Sequence, residues 1–78
     1  MRKEEALQRI TVDPNVFGGK PVIKGTRVPV SVVLASLAEG LSPEQVNDHF
    51  PNVKPDDVIA ALVYAAWLAD ENIWKLAV

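Results

Sequence analysis

Gly18-Gly19-Lys20-Pro21-Val22-Ile23-Lys24-Gly25-Thr26-Arg27-Val28-Pro29 is the stretch on which the reading of this 78-residue chain turns. It holds three of the four glycines and two of the six prolines, with three cations among them. Glycine adopts backbone angles that other residues avoid, while proline fixes its own φ and withholds an N–H. Placed around the β-branched pair Val22-Ile23, they describe an ordered, non-helical backbone that presents basic side chains. Gly18, Gly19, Pro21, Gly25 and Pro29 shape it, and Gly25 or one of Gly18 and Gly19 is expected at positive φ. Lys20, Lys24, Thr26 and Arg27 are the candidate contacts with a partner or a nucleic acid.

Upstream, Ile10-Thr11-Val12 alternates apolar and polar as a short strand does, and Asp13-Pro14-Asn15 is turn chemistry. Pro21-Val22-Ile23 reads as the returning strand of a small β element spanning residues 10–29. Residues 1–9 read as a polar arm with a nascent helical turn at Glu4–Arg9. Downstream, Val30, Val33, Leu34, Leu37 and Leu41 form one apolar face of a helix at about 30–39. Pro29 suits its start, and Gly40 suits a left-handed residue after its last turn. Ser42-Pro43-Glu44-Gln45 reads as a capping box opening a second helix at 43–49, which Phe50-Pro51 stops. Pro55-Asp56-Asp57 opens a third helix running to about residue 72, its acids on the positive end of the dipole. Ile73 to Leu76 either extend that helix or fray from it. The expected fold is mostly α: three helices behind a short β-hairpin or β-arm, in one domain over residues 10–78.

The third helix stands out for its composition. From Val58 to Ala69 the only polar side-chain atoms are the Tyr64 hydroxyl and the Trp67 indole N–H. A helix apolar on every side is buried all round or spans a membrane. This one is too short and too acidic at its ends to span, and so small a chain cannot wrap it. One side is therefore expected on the other helices and another on a second chain. The alanines allow close helix approach, and Leu62, Tyr64, Ala65, Trp67, Leu68 and Trp74 are the candidate interface. The competing reading is that alanine tolerates exposure and simply favours helix.

Composition narrows the function classes. A chain of this size buries only about 60% of the surface it exposes when unfolded, so its core is marginal. It has no cysteine, which removes disulfides, thiolate metal sites and Cys nucleophiles and fits a reducing cytoplasm. No apolar run has the length of a membrane span, and no h-region follows Arg2-Lys3-Glu4-Glu5. The net charge of −2 divides into +3 over residues 1–38 and −5 over residues 39–78, so an anionic partner would favour the N-terminal half.

Catalytic chemistry is not evident. His49, the single histidine, has no companion nucleophile or ligand set. Lys24-Gly25-Thr26 inverts the order a phosphate loop needs. The chain is expected to be no enzyme, with no metal, no cofactor and no small-molecule substrate. The second and third helices have the spacing of a helix-turn-helix, but Asp56 and Asp57 would face phosphates, and the helix beyond them lacks Arg, Lys, Asn and Gln. Lys20, Lys24 and Arg27, with Arg2, Lys3 and Arg9, are the better candidates for nucleic-acid contact, the alternative being a solvated loop. For Arg27 the internal alternative is an ion pair with Asp13.

The run Ile10-Thr11-Val12-Asp13-Pro14 followed by Gly18 to Val30 closely resembles the domain-of-unknown-function 433 family. So do Leu37-Ala38-Glu39-Gly40, the Ser42 helix start, Phe50-Pro51 and Asp57 to Leu62. The resemblance covers about residues 9–69. It implies a small prokaryotic protein similar in fold to homeodomain-like helix-turn-helix domains, and many proteins of that family look like antitoxins of PIN-like ribonuclease toxins. Two functions follow as expectations: an antitoxin that homodimerises and occludes a PIN-like nuclease, or a DNA-binding regulator of its own operon. The long C-terminal tail of many antitoxins is missing, so contact would use the folded surface or Trp74 to Val78.

Overall fold

The computed structural model describes residues 1–71. Its elements are α1 (Lys3–Leu7), β1 (Ile10–Val12), β2 (Pro21–Ile23), α2 (Val30–Ala38), α3 (Pro43–His49) and α4 (Pro55–Glu71), with a single 3₁₀ turn at Phe17–Gly19 between the strands. The mostly helical class with a short β-hairpin in front is as the sequence led one to expect. Strands β1 and β2 pair antiparallel with Ile10 opposite Ile23, Thr11 opposite Val22 and Val12 opposite Pro21.

The hairpin exists to deliver Ile23 into the core. Ile23, Val30, Val33, Val46, Val53, Val58 and Ala61 form one buried cluster, with Ile10, Val28, Leu34, Leu37, Leu41, Phe50 and Tyr64 packed on it. These residues come from β1, β2, α2, α3, α4 and the connections before each of the last three helices. Fully burying each aliphatic side chain is worth roughly 1.5–3 kcal/mol, so a chain with few large core residues depends on all of them.

Helix ends follow the capping chemistry written in the sequence. The Ser42 hydroxyl accepts the Gln45 N–H at 3.2 Å and the Gln45 side chain accepts the Ser42 N–H at 2.8 Å, completing the box at α3. Helix α2 ends in a Schellman arrangement: Leu41 N–H donates to Ser36 O at 3.2 Å and Gly40 N–H to Leu37 O at 2.9 Å. Between α3 and α4 the Asn47 amide donates to Pro51 O at 3.1 Å and Val53 O at 2.8 Å, which fixes the connection.

The N-terminus departs from expectation. The helical turn expected at Glu4–Arg9 is a helix at residues 3–7, and instead of a free arm it is docked along α4, with Ala6 fully buried. Lys3 Nζ lies 5.4 Å over the Trp67 ring at one end, and Arg9 reaches Asp56 and Asp57 at the other. The two helices therefore run antiparallel. Five residues are too few to show a helical period or to be stable alone, and docking supplies what propensity does not.

Candidate interaction surfaces

The glycine-rich loop is shaped by hydrogen bonds within itself. Thr26 N–H and the Thr26 hydroxyl both donate to Ile23 O, at 3.0 and 2.7 Å, and the hydroxyl accepts Val28 N–H at 3.0 Å. Gly25, at φ 82, occupies the left-handed position that lets this turn close. Ile23 N–H then donates to Val28 O at 3.0 Å, and Val22 bridges to Pro29, returning the chain to α2. Thr26, expected as a contact residue, is thus a clamp inside the turn.

Lys20, Lys24 and Arg27 are exposed around this frame, and among the described residues none of their side chains has a hydrogen-bond or ion-pair partner. The expected alternative for Arg27, a pair with Asp13, does not form: an Asp13 carboxylate oxygen instead accepts the Asn15 N–H at 2.9 Å. The turn before β2 is left-handed over three residues, Phe17 (φ 49), Gly18 (φ 65) and Gly19 (φ 87). This positive φ is unusual for Phe17, a residue that is 49% exposed.

Asp57 does more than complement a helix dipole. One of its oxygens accepts Lys54 N–H at 2.9 Å, which is the backward half of a capping box at α4. The other accepts from Arg9 at 3.0 Å, and Asp57 is only 8% exposed. Arg9 also lies 3.6 Å from Asp56, so much of the acidity at this helix start is answered within the chain.

Along α4 the apolar residues divide into three faces. Val58 and Ala61 enter the core, and Ala60 is buried on the side that α1 shares. Trp67 is half-buried, edge-on to Tyr64 with centroids 6.1 Å apart, and lies under Lys3. Part of the surface expected to meet a second chain is therefore covered by α1. The third face holds Ile59 (37% exposed), Leu62 (44%), Ala66 and Ala69, at the alternating three–four spacing of a helix-packing seam. Ile59 was missing from the expected interface, and Ala66 and Ala69 were expected only among the alanines that allow close helix approach, although the spacing is readable in the sequence. Trp74 lies outside the described residues.

Towards its C-terminal end the core-facing side of α4 outruns the helices beneath it. Tyr64, Ala65 and Leu68 there line an open groove of about 410 Å³, closed on its other sides by Val30, Ser31 and Leu34 of α2 and by Lys20 and Pro21. The groove brings together Lys20 and Pro21 of the shaped loop with Tyr64, Ala65 and Leu68, which the sequence assigned to separate sites. Among the described residues no cluster of His, Cys, Asp and Glu is placed to hold a metal ion, and no helix is long and apolar enough to cross a membrane.

The family model described as protein of unknown function DUF433 matches residues 10–65. The uncharacterized protein y4eO of Sinorhizobium fredii is 40% identical over 60 residues, covering 77% of this chain and 27% of that protein. The chain thus spans only about a quarter of that relative's length. An uncharacterized protein of Archaeoglobus fulgidus is 62% identical over 24 residues, covering 31% of this chain and 67% of its own. The crystal structure of a DUF433 member from Anabaena variabilis has a TM-score of 0.72 at 26% identity, covering 96% of this chain and 75% of that one. The pattern that matches begins at β1 and ends inside α4, and the same fold recurs in a solved member: the chain belongs to the DUF433 family.

Proposed function

We propose that this protein is an antitoxin-like interaction module that homodimerises and neutralises a PIN-like ribonuclease, and is not itself a catalyst. The observation that carries this reading is the exposed seam Ile59, Leu62, Ala66 and Ala69 on α4, an apolar helix face with no cover among the described residues. Small residues along such a seam let a second helix approach closely. The PIN-like partner enters through the family resemblance. It is supported by the acid-rich second half of the chain, since metal-dependent nucleases bind polyanions and an acidic surface imitates one. The test is co-expression with a PIN-like ribonuclease from the same source. A stable complex with suppressed RNA cleavage supports the reading, and unaffected cleavage at excess antitoxin removes it.

A second reading, a DNA-binding regulator with α3 and α4 as a helix-turn-helix, is favoured by one observation. Lys20, Lys24 and Arg27 are exposed cations without partners among the described residues. Against it, the exposed face of α4 offers Ile59 and Leu62 where base edges require donors and acceptors. Fluorescence anisotropy with DNA from upstream of its own operon separates the two. Sequence-specific binding with a steep salt dependence would establish the regulator.

A further inference from the structure

We infer that the groove between Lys20–Pro21, α2 and the C-terminal half of α4 receives an acidic segment of the partner protein: an apolar side chain seated in the groove with a carboxylate beside it. The inference rests on the proposed function and names the chemistry of the segment the partner presents.

Three observations carry it. The floor and walls are apolar, made by Val30, Leu34, Ala65 and Leu68 with the Tyr64 ring. At about 410 Å³ the space lies near the lower end of ligand-sized clefts, suited to one or two side chains. The methyl of Ala65 keeps it open, since any larger residue there would fill it. The lining residues with polar side chains are Lys20, whose ammonium only donates, and Ser31 and Tyr64, whose hydroxyls donate or accept; among the described residues none of these side chains has a hydrogen-bond partner. No acid is among the described residues that line the groove. With one cation and two hydroxyl residues beside an apolar floor, the groove complements an occupant that pairs an apolar group with negative charge. A nucleic acid fits poorly, because its phosphates need several cations and the lining supplies one.

The backbone around the lip is already set. Lys20 N–H donates to Phe17 O at 3.3 Å and Gly19 N–H to Val16 O at 3.1 Å, so Lys20 is held by a formed turn. Such a site loses little freedom on binding, and the gain shows in affinity.

The test uses the full chain labelled with ¹⁵N and titrated with blocked hexapeptides. Each carries a central leucine or phenylalanine flanked by aspartate, alanine or lysine. The aspartate-flanked peptides should shift the amides of Val30, Leu34 and Ala65 and bind about tenfold more tightly than the lysine-flanked ones. Lys20→Glu and Ser31→Glu, both at exposed positions, should reverse that order without lowering the melting temperature. Ala65→Trp should abolish the shifts. Equal binding of all peptides, shifts elsewhere, or no binding overturns the inference. So do contacts in the free protein that place residues 72–78 or a second copy in the groove. Co-purification with the PIN-like protein tells the two failures apart. A complex that survives Lys20→Glu and Ala65→Trp removes the groove and leaves the function, while no complex with the unaltered chain removes the function.

Discussion

Arg9 Nη1 donates to Asp57 Oδ1 across 3.0 Å, joining residues 48 positions apart. The other oxygen of the same carboxylate accepts the Lys54 N–H that opens α4. One side chain thus caps the longest helix and ties it to the segment between α1 and β1. The hairpin, α1 and α4 are held in register at this point. The surfaces built from the loop and from α4 keep their relation because of it.

Replacing Asp57 removes both functions at once. Asp57→Ala should destabilise the fold by about 2–4 kcal/mol, a lost cap combined with a lost charge-assisted hydrogen bond. Arg9→Ala loses only the pair, part of it exposed to solvent, and should cost about 1–2 kcal/mol. Urea titrations of both single variants and the double variant measure the coupling. Strictly additive losses would show that the two side chains do not act together.

Ser42→Ala should cost about 1 kcal/mol, the ordinary value for a lost N-cap. The reciprocal bonds of Ser42 and Gln45 lie far from the groove and the α4 seam in sequence, so partner binding should persist. Thermal unfolding beside a binding assay checks both halves. An unchanged melting temperature would mean that water replaces the hydroxyl at no loss.

This capping box was fully legible in the sequence because each partner lies within one helical turn of the other. The strands were legible for the same local reason, and so was Gly40 after α2. What was hidden depends on distance along the chain. Nothing near Arg9 announces Asp57, and five residues of α1 carry no period of their own. The groove was hidden in a different way. Tyr64, Ala65 and Leu68 share the face that holds Val58 and Ala61, but only the shorter reach of α2 and β2 leaves them uncovered. Trp67 looked like an anchor for another chain because aromatic residues suit that role, whereas α1 claims one side of its ring.

Ile59→Asp and Leu62→Asp should separate a dimer without unfolding the protomer, because both side chains are exposed. Sedimentation at micromolar concentration should show about twice 8.5 kDa for the unaltered chain and about 8.5 kDa for the pair of substitutions. A monomer before substitution removes the assigned role of this seam. Unchanged assembly after it moves the interface elsewhere.

Phe17 is an L-residue held at φ 49, where glycine is at ease and a bulky side chain is not. Left-handed backbone costs such a residue about 1–2 kcal/mol, while glycine loses more chain entropy on folding, so Phe17→Gly should fall within about 1 kcal/mol of neutral. Chemical denaturation reads the difference. A loss of more than about 2 kcal/mol would instead identify half-exposed Phe17 as a packing residue of the hairpin.

Arg27→Ala should leave stability within about 0.5 kcal/mol, as expected for a surface residue away from caps, core and ion pairs. The reason is specific to this loop. The turn is closed by Thr26 and Gly25, Asp13 is engaged by the Asn15 N–H, and among the described residues the guanidinium has no partner. An effect of this substitution on binding would therefore report contact and not a damaged fold. Arg27→Lys refines the result, because lysine keeps the charge but loses the two-pronged donor that grips a carboxylate or phosphate. Binding to the partner protein or DNA should be measured beside melting for both variants. Binding lost in Arg27→Ala but kept in Arg27→Lys selects the charge, and binding lost in both selects the fork. If melting falls, Arg27 has an internal role. If binding and melting both survive Arg27→Ala, Arg27 is neither a contact nor an internal pair, and the partner surface lies with the groove, Lys20 included, and α4.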